Sequence, residues 1–363
     1  MAESTPRNGA AIPKPDGEPR DANVPISVLR EQVEPVGYWT VGFLVPFAVL
    51  VGLIVWAGAS FSDYGLTVMA QIGIFAIVIL GLNVLVGFAG QISFGHNAFL
   101  GLGGYMSALA TTQWGLPPIL GLVIGVAVSI LIGMIVGYPT LRLRGHYLAL
   151  ATFALGLGFY NFAISSPAFN GFMGIAAIPP FSLGPWSFET LAEKHYLVWV
   201  VTLLAVLVTW RLRQMRFGRA LRSVAVDEAT AQSVGVNVQR YKVVAFVTSG
   251  IFASVAGSLY AHTVSFVSPD TFGFSTILLL FVMLFVGGLG TLWGSLLGAA
   301  AGIALPDMLR AFEGWNPSIF ALILLVVLIV RPMGLLAPLR SNTVRRLLKP
   351  IALGPKTEGT TNG

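Results

Sequence analysis

Apolar residues along most of this chain run unbroken instead of alternating with polar ones. Ten such runs lie at about 39–57, 66–86, 97–112, 119–138, 147–164, 196–210, 243–261, 275–289, 294–309 and 317–330. A hydrocarbon core is crossed by about 20 apolar helical residues, whereas barrel strands need only about 9 to 11 and alternate polar with apolar. The runs therefore predict an all-α membrane fold of about ten transmembrane helices. Between Tyr64 and Leu141 no Asp, Glu, Lys or Arg interrupts the pattern. Composition agrees: 55% of residues are hydrophobic and 10% charged, with a mean hydropathy of +0.81, where soluble domains carry roughly 25% charged residues.

The few charges sort by side. With ten spans and the N-terminus inside, the inner segments collect 19 of the 21 Lys/Arg, and seven of these fall in residues 211–242. Outside remain Lys194 and Arg310, with Asp63, Glu189, Glu193, Asp270 and Glu313. Short cytoplasmic loops are enriched in Lys/Arg, so both termini are expected in the cytoplasm. The net charge of +6 is explained by this orientation, and no basic patch interleaves with aromatics as a nucleic-acid site would. Membrane lipid is the surrounding partner. Residues 1–36 hold six prolines among polar residues and read as a disordered cytoplasmic tail. They lack the apolar core and cleavage site of a secretory signal. Residues 338–363 read as a basic cytoplasmic tail. The chain has no cysteine and four scattered histidines, so neither disulfides nor a metal site is expected.

Within the apolar sequence, GLNVLVGFAGQISFGHNAFLGLGGY at 81–105 sets Asn83, Gln91, Ser93, His96 and Asn97 beside a cluster of glycines. Polar side chains at membrane depth usually face a protein interior or a wet cavity, and backbone leaves a helix there only where it is similarly sheltered. Two readings stand open: a discontinuous helix lining a translocation path, as at transporter binding sites, or a cytoplasmic hairpin meeting water and headgroups. The five polar residues are the candidate path lining. A second cluster, GGLGTLWGSLLGAAAG at 287–302, places Gly290, Gly294, Gly298 and Gly302 at i, i+4 spacing. Such a face packs closely against another helix, within this subunit or between subunits. The shorter pairs Gly121/Gly125 and Gly133/Gly137 carry less. VGFAGQISFG and VGGLGTLWG hint at an internal repeat. Asp270, Asp307 and Arg310 read as interfacial anchors. The outer loop of 165–195, rich in Gly, Pro and aromatics, reads either as a docking surface for an external partner or as a cover over helix ends.

Within the charged island at 211–242, Asp227-Glu228 followed by ATAQSV and Gly235 predicts a short helix, with acids at its start and glycine at its end. It is either a plug for a partner's groove or a plain surface helix. No GxxxxGK[ST] occurs, so the chain holds no nucleotide by that route. If it pumps, another chain supplies the energy.

GLNVLVGFAGQISFGHNAFLGLGGY, FGRALRSVAVDEATAQSVGVNVQRYKVVAF, SPDTFGFSTILLLFVMLFVGGLGTLWGSLLGA and RPMGLLAP, in that order, resemble the inner-membrane permease of branched-chain amino acid ABC importers, of the LivM type. The resemblance covers roughly residues 60–337 and implies a permease domain over 37–337 in the bacterial cytoplasmic membrane. It implies a second, LivH-like permease, two cytoplasmic ATPases and a periplasmic binding protein as partners. ATP and Mg would belong to the ATPases, and this chain would be neither an enzyme nor a cofactor protein. The resemblance also makes 211–242 an EAA-like coupling loop. Glu228, Ala229 and Gly235 match it, and Arg219 and Asp227 lie beside them. In place of the Thr-Gly-Gly run frequent in relatives, the outer loop reads AFNGFMG at 168–174 and then Ile178-Pro179. Branched-chain amino acids are the expected substrate, with urea, short amides and aromatic acids as alternatives on this architecture, and an ion-coupled carrier as a further one.

Overall fold

The structure, a computed structural model, describes residues 36–143, 145–309, 316–330 and 334–335. The tails expected at 1–36 and 338–363, Arg310 and most of the RPMGLLAP block lie outside the described residues, save that a helix already begins at Val36. Among the described residues twelve α-helices follow in order: α1 (Val36–Ser60), α2 (Asp63–Asn83), α3 (His96–Thr112), α4 (Pro118–Thr140), α5 (His146–Ser165), α6 (Leu191–Gln214), α7 (Arg216–Val226), α8 (Glu228–Ser233), α9 (Val238–Val264), α10 (Phe274–Gly287), α11 (Leu292–Met308) and α12 (Asn316–Val330). Each apolar run folds as one of ten long helices, and α7 and α8 are the charged island. Among the described residues, seven helices are long and apolar enough to cross a membrane, α10 with the turn before it being one. α3 and α11, at 17 residues each, and α12, at 15, fall short of that length.

The described residues divide into two compact units, one ending at Trp56 and one beginning at Ala57. In the first, Phe43 and Phe47 stack one turn apart with ring centroids 5.3 Å apart. The second holds α2 to α12. Its centre is α2, α3 and α9, helices that are apolar nearly all round and buried accordingly. α9 packs on α2, α3 and α4, and α2 packs also on α6 and α11.

Local chemistry sets the ends of these helices. Ser62 Oγ accepts from the Gly65 amide at the start of α2. Thr190 and Glu193 form a reciprocal capping box at the start of α6. Pro118 opens α4, where its missing N–H costs nothing. Connections on the side opposite α7 and α8 carry the few strands: β1 (Ile175–Ala176), β2 (Ser182–Leu183), β3 (Trp186–Ser187) and β4 (Phe266–Val267). β1 pairs antiparallel with β4 in the register Ile175↔Val267, and β2 pairs with β3 across the Gly184 turn. His262 ties this layer down: its Nδ1 contacts the Pro179 carbonyl at 2.8 Å and its Nε2 the Ser107 hydroxyl at 2.8 Å, and Ser258 donates to that same hydroxyl.

Candidate functional site

α2 does not end cleanly. Its last turn widens into a π-helix over Val84–Phe88, and from Gly90 to Gly95 the chain runs without helix. Gly90 takes the left-handed conformation, φ +67°, that lets the chain turn away. α3 then starts far along its neighbours. It runs parallel to α9, with His96 level with Ser249 and Ser107 level with His262, and Asn97 lies level with Gly156 of α5. Ser249 and Gly156 sit eleven and ten residues into their helices. At 1.5 Å per residue α3 therefore begins about 15 Å along them, well past their first turns. The reading of 81–105 as a discontinuous helix fits this geometry; a hairpin lying at the helix ends does not. It also explains why α3 is short.

Neighbouring side chains satisfy the broken segment's polar groups. The Phe94 amide donates to Thr152 Oγ1 at 3.0 Å, and the Phe94 ring stacks on Phe281 at 4.1 Å. Ser249 donates to the Phe246 carbonyl, so the 2.9 Å contact between its oxygen and His96 Nε2 assigns the proton to Nε2. Nδ1 then accepts from Ser93 Oγ at 3.3 Å. Asn97 Nδ2 donates to the Gly156 and Phe272 carbonyls at 3.2 and 2.7 Å, while its Oδ1 is buried without a partner among the described residues. Gln91 donates to the Ala89 carbonyl at 3.1 Å.

Asn83 lies elsewhere, at the far end of α2. It donates to the Thr291 carbonyl at 2.8 Å and to Ser295 Oγ at 2.9 Å, and accepts from the Gly290 amide at 2.7 Å. It clasps the turn between α10 and α11. The structure thus brings Ser93, His96 and Asn97 together where α3 begins, sets Gln91 toward α7 and α8, and places Asn83 at the second glycine cluster. All five are buried.

The charged island folds as α7 and α8 against the broken segment. Asp227 caps α8, accepting from the amides of Ala229 and Thr230 at 3.0 and 3.2 Å and from the Thr230 hydroxyl. The Thr230 hydroxyl first, then those amides, hold the carboxyl below the usual carboxylate range. Gly235 ends the helix at φ +84°, its amide bonded to the Gln232 carbonyl. Arg219 donates to the Gln214 carbonyl at the C-terminus of α6, where the helix dipole favours a cation. Val224, Ala231 and Val238 form a small apolar core with Val236. Ala229 lines a cavity of about 420 Å³ whose other walls include Gly90, Gln91, Gly145, Leu148 and Asp227.

Glu228 turns back onto its own chain and pairs with Lys242 Nζ at 2.5 Å; the Lys242 side chain is 3% exposed and that of Glu228 29%. Removing Glu228 would leave the buried Lys242 ammonium without its partner charge, which is costly. Sequence reasoning counted Lys242 only as a topogenic charge. A lysine following the first apolar residues of a long span was the available signal.

The glycine ladder needs one correction. α11 begins at Leu292, so Gly290 is not on its face; at φ +73° it forms the turn that Asn83 clasps. Gly294, Gly298 and Gly302 do share a face, and it meets α10: a Cβ at Gly294 or Gly298 would strike the carbonyls of Gly287 or Met283. A longer ladder was missed. Gly121, Gly125, Ser129, Gly133 and Gly137 are the buried stripe of α4, and four of them pack on Ser107, Gly103, Phe99 and Phe246 of α3 and α9. Ser129 hid it by separating the two glycine pairs.

Residues 64–331 match the family described as branched-chain amino acid transport system / permease component. This chain belongs to that family. The permease is 31% identical over 292 residues to LivM of Escherichia coli strain K12, named as a high-affinity branched-chain amino acid transport system permease protein; the match covers 72% of this chain and 68% of the relative. It is 26% identical over 289 residues to LivH of Salmonella typhimurium, a permease protein of the same printed description, covering 72% and 91%. A solved structure, PsaBC from Streptococcus pneumoniae in complex with Fab, is similar over 82% of this chain at 14% identity and a TM-score of 0.41, too distant to carry an argument. The permease is a multi-pass protein of the bacterial inner membrane, a transport component and not itself an enzyme.

Proposed function

We propose that this chain is the permease subunit of an ATP-driven importer of branched-chain amino acids, with ten spans and both termini in the cytoplasm. The observation that carries the reading is the family match over nearly the whole membrane part, joined to a helix broken halfway along its neighbours. In this reading the segment from Gln91 to Asn97 borders the path. Its neutral hydrogen-bonding groups suit a zwitterion without trapping it, and no substrate charge would face a fixed counter-charge there.

The energy comes from outside the chain. Two cytoplasmic ATPases hold ATP and Mg and dock on α7 and α8, a second LivH-like permease completes the pore, and a periplasmic binding protein delivers substrate. That protein meets the outer loop, where Phe172, Met173 and Trp186 are 68%, 80% and 74% exposed. This chain then needs no cofactor of its own.

The test is uptake of labelled leucine, isoleucine and valine into proteoliposomes holding the copurified complex. ATP-dependent uptake that needs the binding protein is the expected result. Uptake of urea, short amides or aromatic acids in place of the three amino acids would overturn the substrate class. Uptake that survives ATP depletion and collapses with the proton gradient would overturn the energy source.

A further inference from the structure

We propose that Lys242 is a positioning residue: through its ion pair with Glu228 it makes α8 and α9 move as one body, and so carries motion of the α7–α8 element to the broken segment. The proposal rests on the ATP-driven reading given above.

The covalent link between α8 and α9 is soft, a stretch from Val234 to Asn237 that contains Gly235 at φ +84°. The Lys242–Glu228 pair bridges that stretch directly. As glue it is a poor choice, because an apolar pair of the same volume would stabilise the junction as well. What a charged pair adds is direction, since it holds only when the two groups meet in one geometry. The small apolar core beside it, Val224, Ala231 and Val238, joins α7, α8 and α9.

Lys242 and Ser249 are seven residues apart on α9, two turns on the same face. Ser249 holds His96 at 2.9 Å, at the first residue of α3. A displacement of α8 is therefore delivered along about 10 Å of rigid helix to the point where α3 begins. The other end of the broken segment is held by the same element: at Gly90 an added Cβ would lie 3.3 Å from the Ala225 methyl group of α7. The segment is thus gripped at both ends by α7–α8, directly at Gly90 and through Lys242 and α9 at His96. Glu228 consequently faces its own chain, and Val226 and Val234, 88% and 73% exposed, are left for a partner.

The experiment uses the whole reconstituted complex and reads the ratio of ATPase rate with loaded binding protein to the rate without it. Lys242→Met and Glu228→Gln should each lower that ratio at least fivefold, Lys242→Arg should keep it within twofold, and the exchange Lys242→Glu/Glu228→Lys should restore it. If Glu228 instead docks on the ATPase, the exchange stays defective, because position 228 then meets its partner with the wrong sign; that result overturns the proposal. Should the exchanged complex not assemble, the neutral double variant Lys242→Met/Glu228→Gln decides. A defect no worse than the worse single variant supports the strut, and multiplied defects refute it. A wild-type complex with no ATP-dependent uptake would sink the ATP-driven reading itself, whereas normal wild-type coupling with unaffected variants sinks only the strut.

Discussion

Two glycine-rich breaks, VGFAGQISFG at 86–95 and VGGLGTLWG at 286–294, look alike in letters and fold differently. At the second, α10 ends, four residues turn, and α11 starts at once, close enough to α10 that only glycine fits between them. At the first, six residues, 90–95, lie outside any helix before α3 begins, well along its neighbours. The difference lies in what the backbone finds next. The short turn draws on its own Thr291 hydroxyl and on a side chain of another helix, Asn83 reaching across from α2. The long segment is tied to α5, where Thr152 accepts from the Phe94 amide, and the residue that follows it, His96, is tied to Ser249 on α9. The two breaks also touch, since a Cβ at Gly87 would lie 2.5 Å from the Gly290 amide. A short turn clasped between adjoining helices builds a rigid wall, and a longer one tied at single points to α5 and, through His96, to α9 can be shifted by either.

The sharpest way to break the contrast is at the wall. Asn83→Leu removes three hydrogen bonds, two to the turn and one to Ser295 of α11, and leaves the half-buried Gly290 amide without its acceptor; at about 1 kcal/mol for each bond, a loss of roughly 3 kcal/mol is expected. Thermal unfolding of the detergent-purified complex should show it, and an unchanged midpoint would mean that the clasp is not holding the wall. Gly298→Ala, which drives a methyl group into the Met283 carbonyl, should cost about 1 to 3 kcal/mol by the same measurement. A neutral result there would show that α10 and α11 can separate at little cost.

What the sequence made legible follows from the same physics. Ten helices could be read because burial in lipid demands long apolar runs, and Gly235 and Asp227 could be placed because cap chemistry is local. The five polar residues at 83–97 were found, but not their division between two breaks: Asn83 and Gln91 are eight letters apart and serve different elements, and only the distant Gly290 and Ala225 show which. Ser249, Thr152 and Ser129 were invisible as functional residues, since a lone hydroxyl in an apolar helix usually bonds its own backbone. The role of Lys242 was hidden by topology, because any lysine near a cytoplasmic helix start reads as an orienting charge.

The long break should respond more weakly in stability and more strongly in exposure. Thr152→Val removes the acceptor of the Phe94 amide and should cost about 1 to 2 kcal/mol. It should also speed labelling of a cysteine placed at Ser93, in a chain that has none of its own. A cysteine at Leu289 should label at the same rate with or without the change. Equal acceleration at both positions would erase the distinction between a movable break and a fixed one.

The smallest effect expected is also the most selective, and it comes from pH. Asp227 has its carboxyl held below the usual range, first by the Thr230 hydroxyl and then by the amides of Ala229 and Thr230. Its folded pKa is depressed, so its contribution to α8 is fully present above the ordinary carboxylate pKa and is lost as pH falls through the depressed value. Acidification should therefore loosen α8 in that window below the usual carboxylate range, and with it the cavity wall it shares with Gly90 and Gln91. Among the described residues, 288–291 have no such carboxylate as a hydrogen-bond partner. Amide exchange, corrected for its intrinsic pH dependence, should show protection falling at Ala229 and Thr230 while Gly290 keeps its own, and Asp227→Asn should flatten the response. If protection at Gly290 falls in step, the acid is loosening the whole bundle, and the two breaks are not mechanically separate.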